Sequence, residues 1–283
     1  MLVVALAALS GLVWGVGDFA GGKATQRAAA LPVVWMSKLV SLPLLAIYLA
    51  ALYVPLPLVS LVWGALGGAA GVVGMQLFYR ALSAGAMTVV APITAVTSAA
   101  IPVVVGLAAG DHTEGLRLLG VGCALAAIGL VSAAPRPPGQ QLIVTPRLVA
   151  AALGAGISFA LFFILIAAAG DAAGGYAGLW PIAASQLSAL VVGGGLLALT
   201  RPGGWPRAGA LSWTFVAGPF DMTANALYLL ATRHGQLSLV APLAALYPVT
   251  TVLLALIVDH ERLRGIQIAG LALAAVGMVL VST

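Results

Sequence analysis

The sequence predicts an all-α integral membrane protein of ten transmembrane helices, arranged as two inverted five-helix repeats. Three observations lead there. Hydrophobic residues make up 62% of the chain and charged residues 7%, whereas a soluble domain carries about a quarter charged residues. Apolar runs of about 20 residues, long enough to cross ~30 Å of hydrocarbon, follow one another with short breaks. The text of the first half also recurs in the second. Val90-Ala91-Pro92 returns as Val240-Ala241-Pro242, Asp111-His112 as Asp259-His260, and the run from Ala124 to Gly129 as Ala272 to Gly277. No segment alternates apolar and polar residues as an outer-membrane barrel strand does.

The predicted segments are 2–22, 31–53, 58–81, 86–108, 115–134, 148–169, 176–199, 208–232, 236–258 and 263–282. Segment 1 has no basic residue before it, so it lacks the charged region of a cleaved signal peptide and reads as a retained helix. Segment 2 carries Lys38, and segment 3 carries Gln76 and ends in Leu77-Phe78-Tyr79-Arg80. Segment 4 is interrupted by Pro92 and Pro102, and segment 9 by Pro242 and Pro248. A proline removes one backbone hydrogen bond and kinks its helix. Interruptions at corresponding places in two halves point either to a midplane site or to packing kinks. Segment 5 holds the lone Cys123, which excludes an intramolecular disulfide. Glycines four apart, such as Gly11/Gly15, Gly64/Gly68 and Gly67/Gly71, read as close helix contacts rather than ligands.

The repeats are expected over 1–134 and 148–283, joined by a Pro- and Gly-rich linker at 135–147. Five is odd, so the second copy enters the bilayer from the opposite side, which is a transporter architecture. Trp14 aligns with Phe159 and Trp35 with Trp180. Loops after the odd-numbered segments hold Lys23, Arg27, Arg80, Arg136, Arg147, Arg201, Arg207, Arg262 and Arg264, whereas the other side holds only Arg117 and Arg233. By the positive-inside rule both termini lie outside the cell. The basic residues sit singly, so the net charge of +5 reflects orientation and not a nucleic-acid partner.

Several motifs carry a family resemblance: Leu12-Val13-Trp14-Gly15, the end of segment 3, the two Val-Ala-Pro helices, and the Asp-His turns into Gly-rich helices. In their order and duplication the chain resembles the EamA-like branch of the drug/metabolite transporter superfamily. The resemblance implies a metabolite or drug permease of the inner membrane, with a central cavity lined by both copies and no cofactor. It also implies cytoplasmic termini, against the charge count. A small-molecule substrate, the bilayer and at most a weak homodimer are the expected partners.

An ionisable group at membrane depth costs at least ~2.5–3.5 kcal/mol, so each is a functional candidate. Asp221 and Asn225 in segment 8 share a helix face. Together they suit a cationic or amine-bearing substrate, and Asp221 is also a candidate proton carrier. Asp18 and Lys38 lie towards the same side of the bilayer and are candidates for an ion pair, structural or a gate latch, the alternative being that Lys38 snorkels alone to the interface. Gln76 and Gln186 are candidate cavity contacts. Trp14, Tyr79, Trp180 and Tyr228 are candidate aromatic walls. Asp221 aligns with Gly71, Asn225 with Met75, Asp18 with Phe163 and Lys38 with Ala183, so charge within the membrane is what the copies do not share.

Other functions fare worse. Gly15-Val16-Gly17-Asp18 matches the GxGD of intramembrane aspartyl proteases, with Asp221 as the second carboxylate. That family places the motif in a late helix, and its Tyr-Asp and Pro-Ala-Leu elements are missing here. Three scattered histidines with no HExxH leave no zinc set, and no P-loop is present. A channel or structural membrane protein is the other alternative.

Overall fold

The computed structural model describes residues 1–52, 54–83, 87–133, 145–172, 177–260 and 263–282. Most of the expected linker, and Arg136 and Arg262, lie outside them. Among the described residues there are twelve α-helices and no strand. They are α1 (Leu2–Thr25), α2 (Ala30–Val40), α3 (Leu42–Ala51), α4 (Leu58–Ser83), α5 (Met87–Ala108), α6 (Gly115–Val131), α7 (Pro146–Asp171), α8 (Trp180–Thr200), α9 (Ala208–His234), α10 (Leu237–Ala244), α11 (Tyr247–Val258) and α12 (Gly265–Ser282).

Eight stretches are long and apolar enough to cross a membrane: α1, α2 with α3, α4, α5, α7, α8, α10 with α11, and α12. Of the ten predicted spans, two do not meet that standard. The apolar α6 has only 17 residues, and the 27-residue α9 is diluted by Asp221, Asn225, Arg233 and several threonines.

Two rods are broken, and both breaks have a local cause. Pro43 stands in the first turn of α3 and Pro248 in the first turn of α11. Proline suits that position because its missing N–H has no intrahelical partner there. Each chain turns at the residues just before, Ser41 and Ala245-Leu246. In segment 4 the helix α5 continues through Pro92 and Pro102, and Pro242 lies inside α10.

Small residues set the packing. A side chain on Gly11 would stand 2.8 Å from the carbonyl oxygen of Ala244, and one on Gly15 would collide with Tyr247 and Thr250. These approaches lay α1 parallel to α10 and α11. On another face, Ser10 donates to the Ala224 carbonyl at 2.8 Å and Gly17 abuts Asp221, setting α1 antiparallel to α9. Gly64 and Gly68 admit the backbone of Pro181 and Ser185, so α4 lies parallel to α8. Gly74 meets Phe159, Gly67 meets Ile166, and α4 runs antiparallel to α7. Gly120 and Gly277 meet across antiparallel α6 and α12. Close backbone approach of this kind supplies the van der Waals contact that drives helix association in lipid.

Candidate functional site

The polar centre of the molecule is built by α1, α2, α9 and α11. On α9, Gly218 has no side chain, and the carbonyl of Ser37 on α2 occupies the space that one would fill. That contact brings Lys38, next to Ser37, against Asp221, three residues beyond Gly218. Lys38 Nζ and Asp221 Oδ2 are 2.5 Å apart. Two charges that would each cost several kcal/mol alone therefore neutralise one another.

Asp18, on α1 beside Gly17, keeps accessible surface although protein atoms crowd it on most sides, and it lies within electrostatic reach of both Asp221 and Lys38. Tyr247, at the start of α11, faces it as well. The candidate Asp18–Lys38 pair is thus corrected: the lysine bonds Asp221. Nearness in depth suits either carboxylate, but the α2–α9 contact through Gly218 aims the ammonium at Asp221. Among the described residues Asp18 has no hydrogen-bond or ion-pair partner. The cluster holds two carboxylates and one ammonium, one positive charge short of neutrality when all are ionised.

Asn225 does share a face with Asp221, but it is buried and its Nδ2 donates to the backbone carbonyl of Asp221 at 2.6 Å. One amide N–H is thus taken by its own helix. Thr223 likewise bonds back to the Pro219 carbonyl at 2.8 Å and meets the hydroxyl of Tyr48 from α3 at 3.1 Å.

Gln186 is buried and donates to Ser41 Oγ at 2.6 Å, and Ser41 Oγ donates to the Lys38 carbonyl at 2.8 Å. It fastens the α2–α3 break that carries Lys38. Ser41, Tyr48, Thr223 and Gly218 were absent from the sequence candidates. The one signal for the break is a serine two residues before Pro43, a helix-start pattern.

The aromatic candidates pack inwards. Trp14, Phe163 and Tyr228 form a cluster with ring centroids 5.0 to 5.7 Å apart. Tyr228 is fully buried, and its hydroxyl donates to the Phe163 carbonyl at 3.0 Å. Trp14 and Tyr228 are therefore core rather than cavity wall. Trp180 stands half-buried at the start of α8, with Nε1 donating to the Val54 carbonyl at 3.0 Å. Gln76 is half-buried on α4, and the side chain of Tyr79 lies outside the described residues.

The duplicated Asp-His turns do different work. Asp111 Oδ2 accepts the backbone N–H of Ser238 at 2.8 Å, capping α10. Gln236 Nε2 donates to the His112 carbonyl, and the Thr113 and Ser238 hydroxyls meet at 3.1 Å. Asp259 instead pairs with Lys23 at the end of α1. The two sets sit at opposite ends of α1, since Gly235, just before α10, abuts Val3.

Residues 146–283, from α7 to α12, match the sequence model of the EamA-like transporter family. No curated protein matches the chain. A solved structure described only as "Crystal structure of protein" is similar, with a TM-score of 0.74 and 18% identity, over 98% of this chain and 95% of its own. At that identity the likeness speaks for the fold alone.

Proposed function

The chain belongs to the EamA-like transporter family of the drug/metabolite transporter superfamily, and on that footing we propose that it is a secondary transporter for a small cationic or amine-bearing organic molecule. The observation that carries the substrate class is the charge balance of the central cluster. Asp18, Lys38 and Asp221 sum to a deficit of one positive charge, which a protonated amine or a proton makes good. Asp18 is the carboxylate open to take it, and Lys38 already serves Asp221. In this reading Asp18 replaces Asp221 as the primary recognition and coupling residue.

We infer ten crossings in two inverted five-helix halves, 1–134 and 148–283, counting α6 and α9 with the eight apolar spans. Matching contacts support the inversion. Gly68 admits the backbone of Ser185 and Gly218 that of Ser37; Gly11 meets Ala244 while Gly156 meets Thr94 and Thr97. On this reading Ser37 corresponds to Ser185, and Lys38 to Gln186. Alternating access then consists of rocking one half against the other around the cluster. With the basic loops cytoplasmic, both termini lie outside.

The protease alternative needs Asp18 and Asp221 to share a proton. Lys38 is bonded to Asp221 and so neutralises that carboxylate, leaving Asp18 without a bonded partner, an arrangement that suits cation recognition. The test is flux into proteoliposomes containing the purified protein, with a panel of organic amines. Saturable uptake that Asp18→Asn abolishes is expected; wild-type uptake by that variant, with unchanged pH dependence, would falsify the assignment. Flux linear in concentration indicates a channel.

A further inference from the structure

We propose that the corner between the end of α1 and the start of α9 binds the phosphate of an anionic phospholipid headgroup. Arg27 follows α1 and Arg207 is the N-cap residue of α9. With Gly204 and Trp205 they line a cavity of about 300 Å³. Neither arginine takes part in an ion pair among the described residues. Two guanidinium groups at one cavity match a phosphodiester, because each presents a planar fork of donors to its oxygens. The start of α9 adds to this, since Arg207 makes no side-chain cap and the helix dipole favours an anion there.

The corner is preformed. The Ala29 N–H donates to the Gly204 carbonyl at 2.8 Å, and Arg27 Nη1 donates to the Gly209 carbonyl at 3.2 Å. Gly204 holds φ +78, a left-handed turn, and a side chain there would also press on Ala29. Ligand binding therefore requires little ordering of the two loops.

Its surroundings are those of a membrane surface rather than of open water. Trp205 is 48% exposed and sits edge-on to Trp35, with centroids 6.2 Å apart. Tryptophan concentrates at headgroup level. Leu199, near the end of α8 and a few residues before Gly204 in the chain, is 82% exposed and offers apolar surface to an acyl chain. Basic pockets between transmembrane helices are suited to anionic lipid headgroups.

The test uses the full-length protein in phosphatidylcholine nanodiscs, titrated with phosphatidylglycerol and followed by native mass spectrometry. Each arginine is expected to contribute roughly fivefold to affinity, so Arg27→Gln/Arg207→Gln loses on the order of 25-fold. The Arg27→Lys/Arg207→Lys variant keeps the charge but loses the forked contact and should bind between wild type and the double glutamine variant, and Arg264→Gln, in another basic loop, should bind like wild type. Circular dichroism confirms that every variant is helical. Wild-type binding by the double glutamine variant, or an equal loss in Arg264→Gln, overturns the site. Displacement of phosphatidylglycerol by an equal concentration of glycerol phosphate overturns the lipid assignment in favour of a soluble phosphate.

Discussion

Lys38 of α2 and Asp221 of α9 are 183 residues apart in the chain and 2.5 Å apart in the fold. Their pair joins α2 to α9 and leaves Asp18 as the unmatched carboxylate. Five predictions follow from this arrangement and its supports.

Lys38→Met strands the charge of Asp221 and should cost about 3 kcal/mol, the lower end for breaking a buried pair, because both side chains keep some exposure. Adding Asp221→Leu should recover most of that loss. Thermal unfolding of the two variants in detergent checks the difference.

Asp18→Asn should leave stability near wild type, since Asp18 holds no ion pair. It should lower transport of an amine at least tenfold, roughly the 1.4 kcal/mol that one charge contact contributes at minimum. Initial rates in proteoliposomes measure it. An effect on stability larger than on transport would sink the recognition role.

Gly218→Val forces Ser37 and α2 away from α9, because the backbone carbonyl already fills the space of a side chain. Overpacking of this kind costs roughly 1–3 kcal/mol. It should also separate Lys38 from Asp221, so Gly218→Val combined with Lys38→Met should lose less than the sum of the two.

Tyr228→Phe removes one buried hydrogen bond to the Phe163 carbonyl, worth about 1 kcal/mol. Apparent substrate affinity should not change. A change in affinity without a change in stability would return Tyr228 to the cavity wall.

Asp111→Ala removes the cap of α10 and should destabilise that end by about 1 kcal/mol. Lys23→Gln loosens the opposite end, where Asp259 is held. In a Cys123→Ser background, thiol labelling of single cysteines placed at Val3 and at Thr25 should rise in the first and second variant respectively. Equal labelling in both would show that neither contact restrains its end.

The class of the protein was legible because it depends on composition and spacing. Apolar runs of bilayer length, the scarcity of charge and the repeated Val-Ala-Pro and Asp-His text need no contact map. The glycine pairs also read correctly as contacts: Gly11, Gly15, Gly64 and Gly68 all meet backbone or β-carbon atoms that a side chain would displace. The site was legible only as a set of residues. Hydropathy gives an ionisable group its depth, and the i, i+4 rule gives Asp221 and Asn225 a common face, but neither shows what stands opposite. Asn225 turned to its own helix, Gln186 to Ser41 and Tyr228 to Phe163, because each found a backbone or hydroxyl partner within reach in the core.

The sequence by itself thus determined a helical membrane protein, its repeated text and the short roster of charges inside it, all properties of order along the chain. The tertiary structure alone decided that Lys38 serves Asp221 and leaves Asp18 open. That choice depends on rotation and distance between helices, set where Gly218 lets the Ser37 carbonyl come close. No pattern along one helix encodes the azimuth of another.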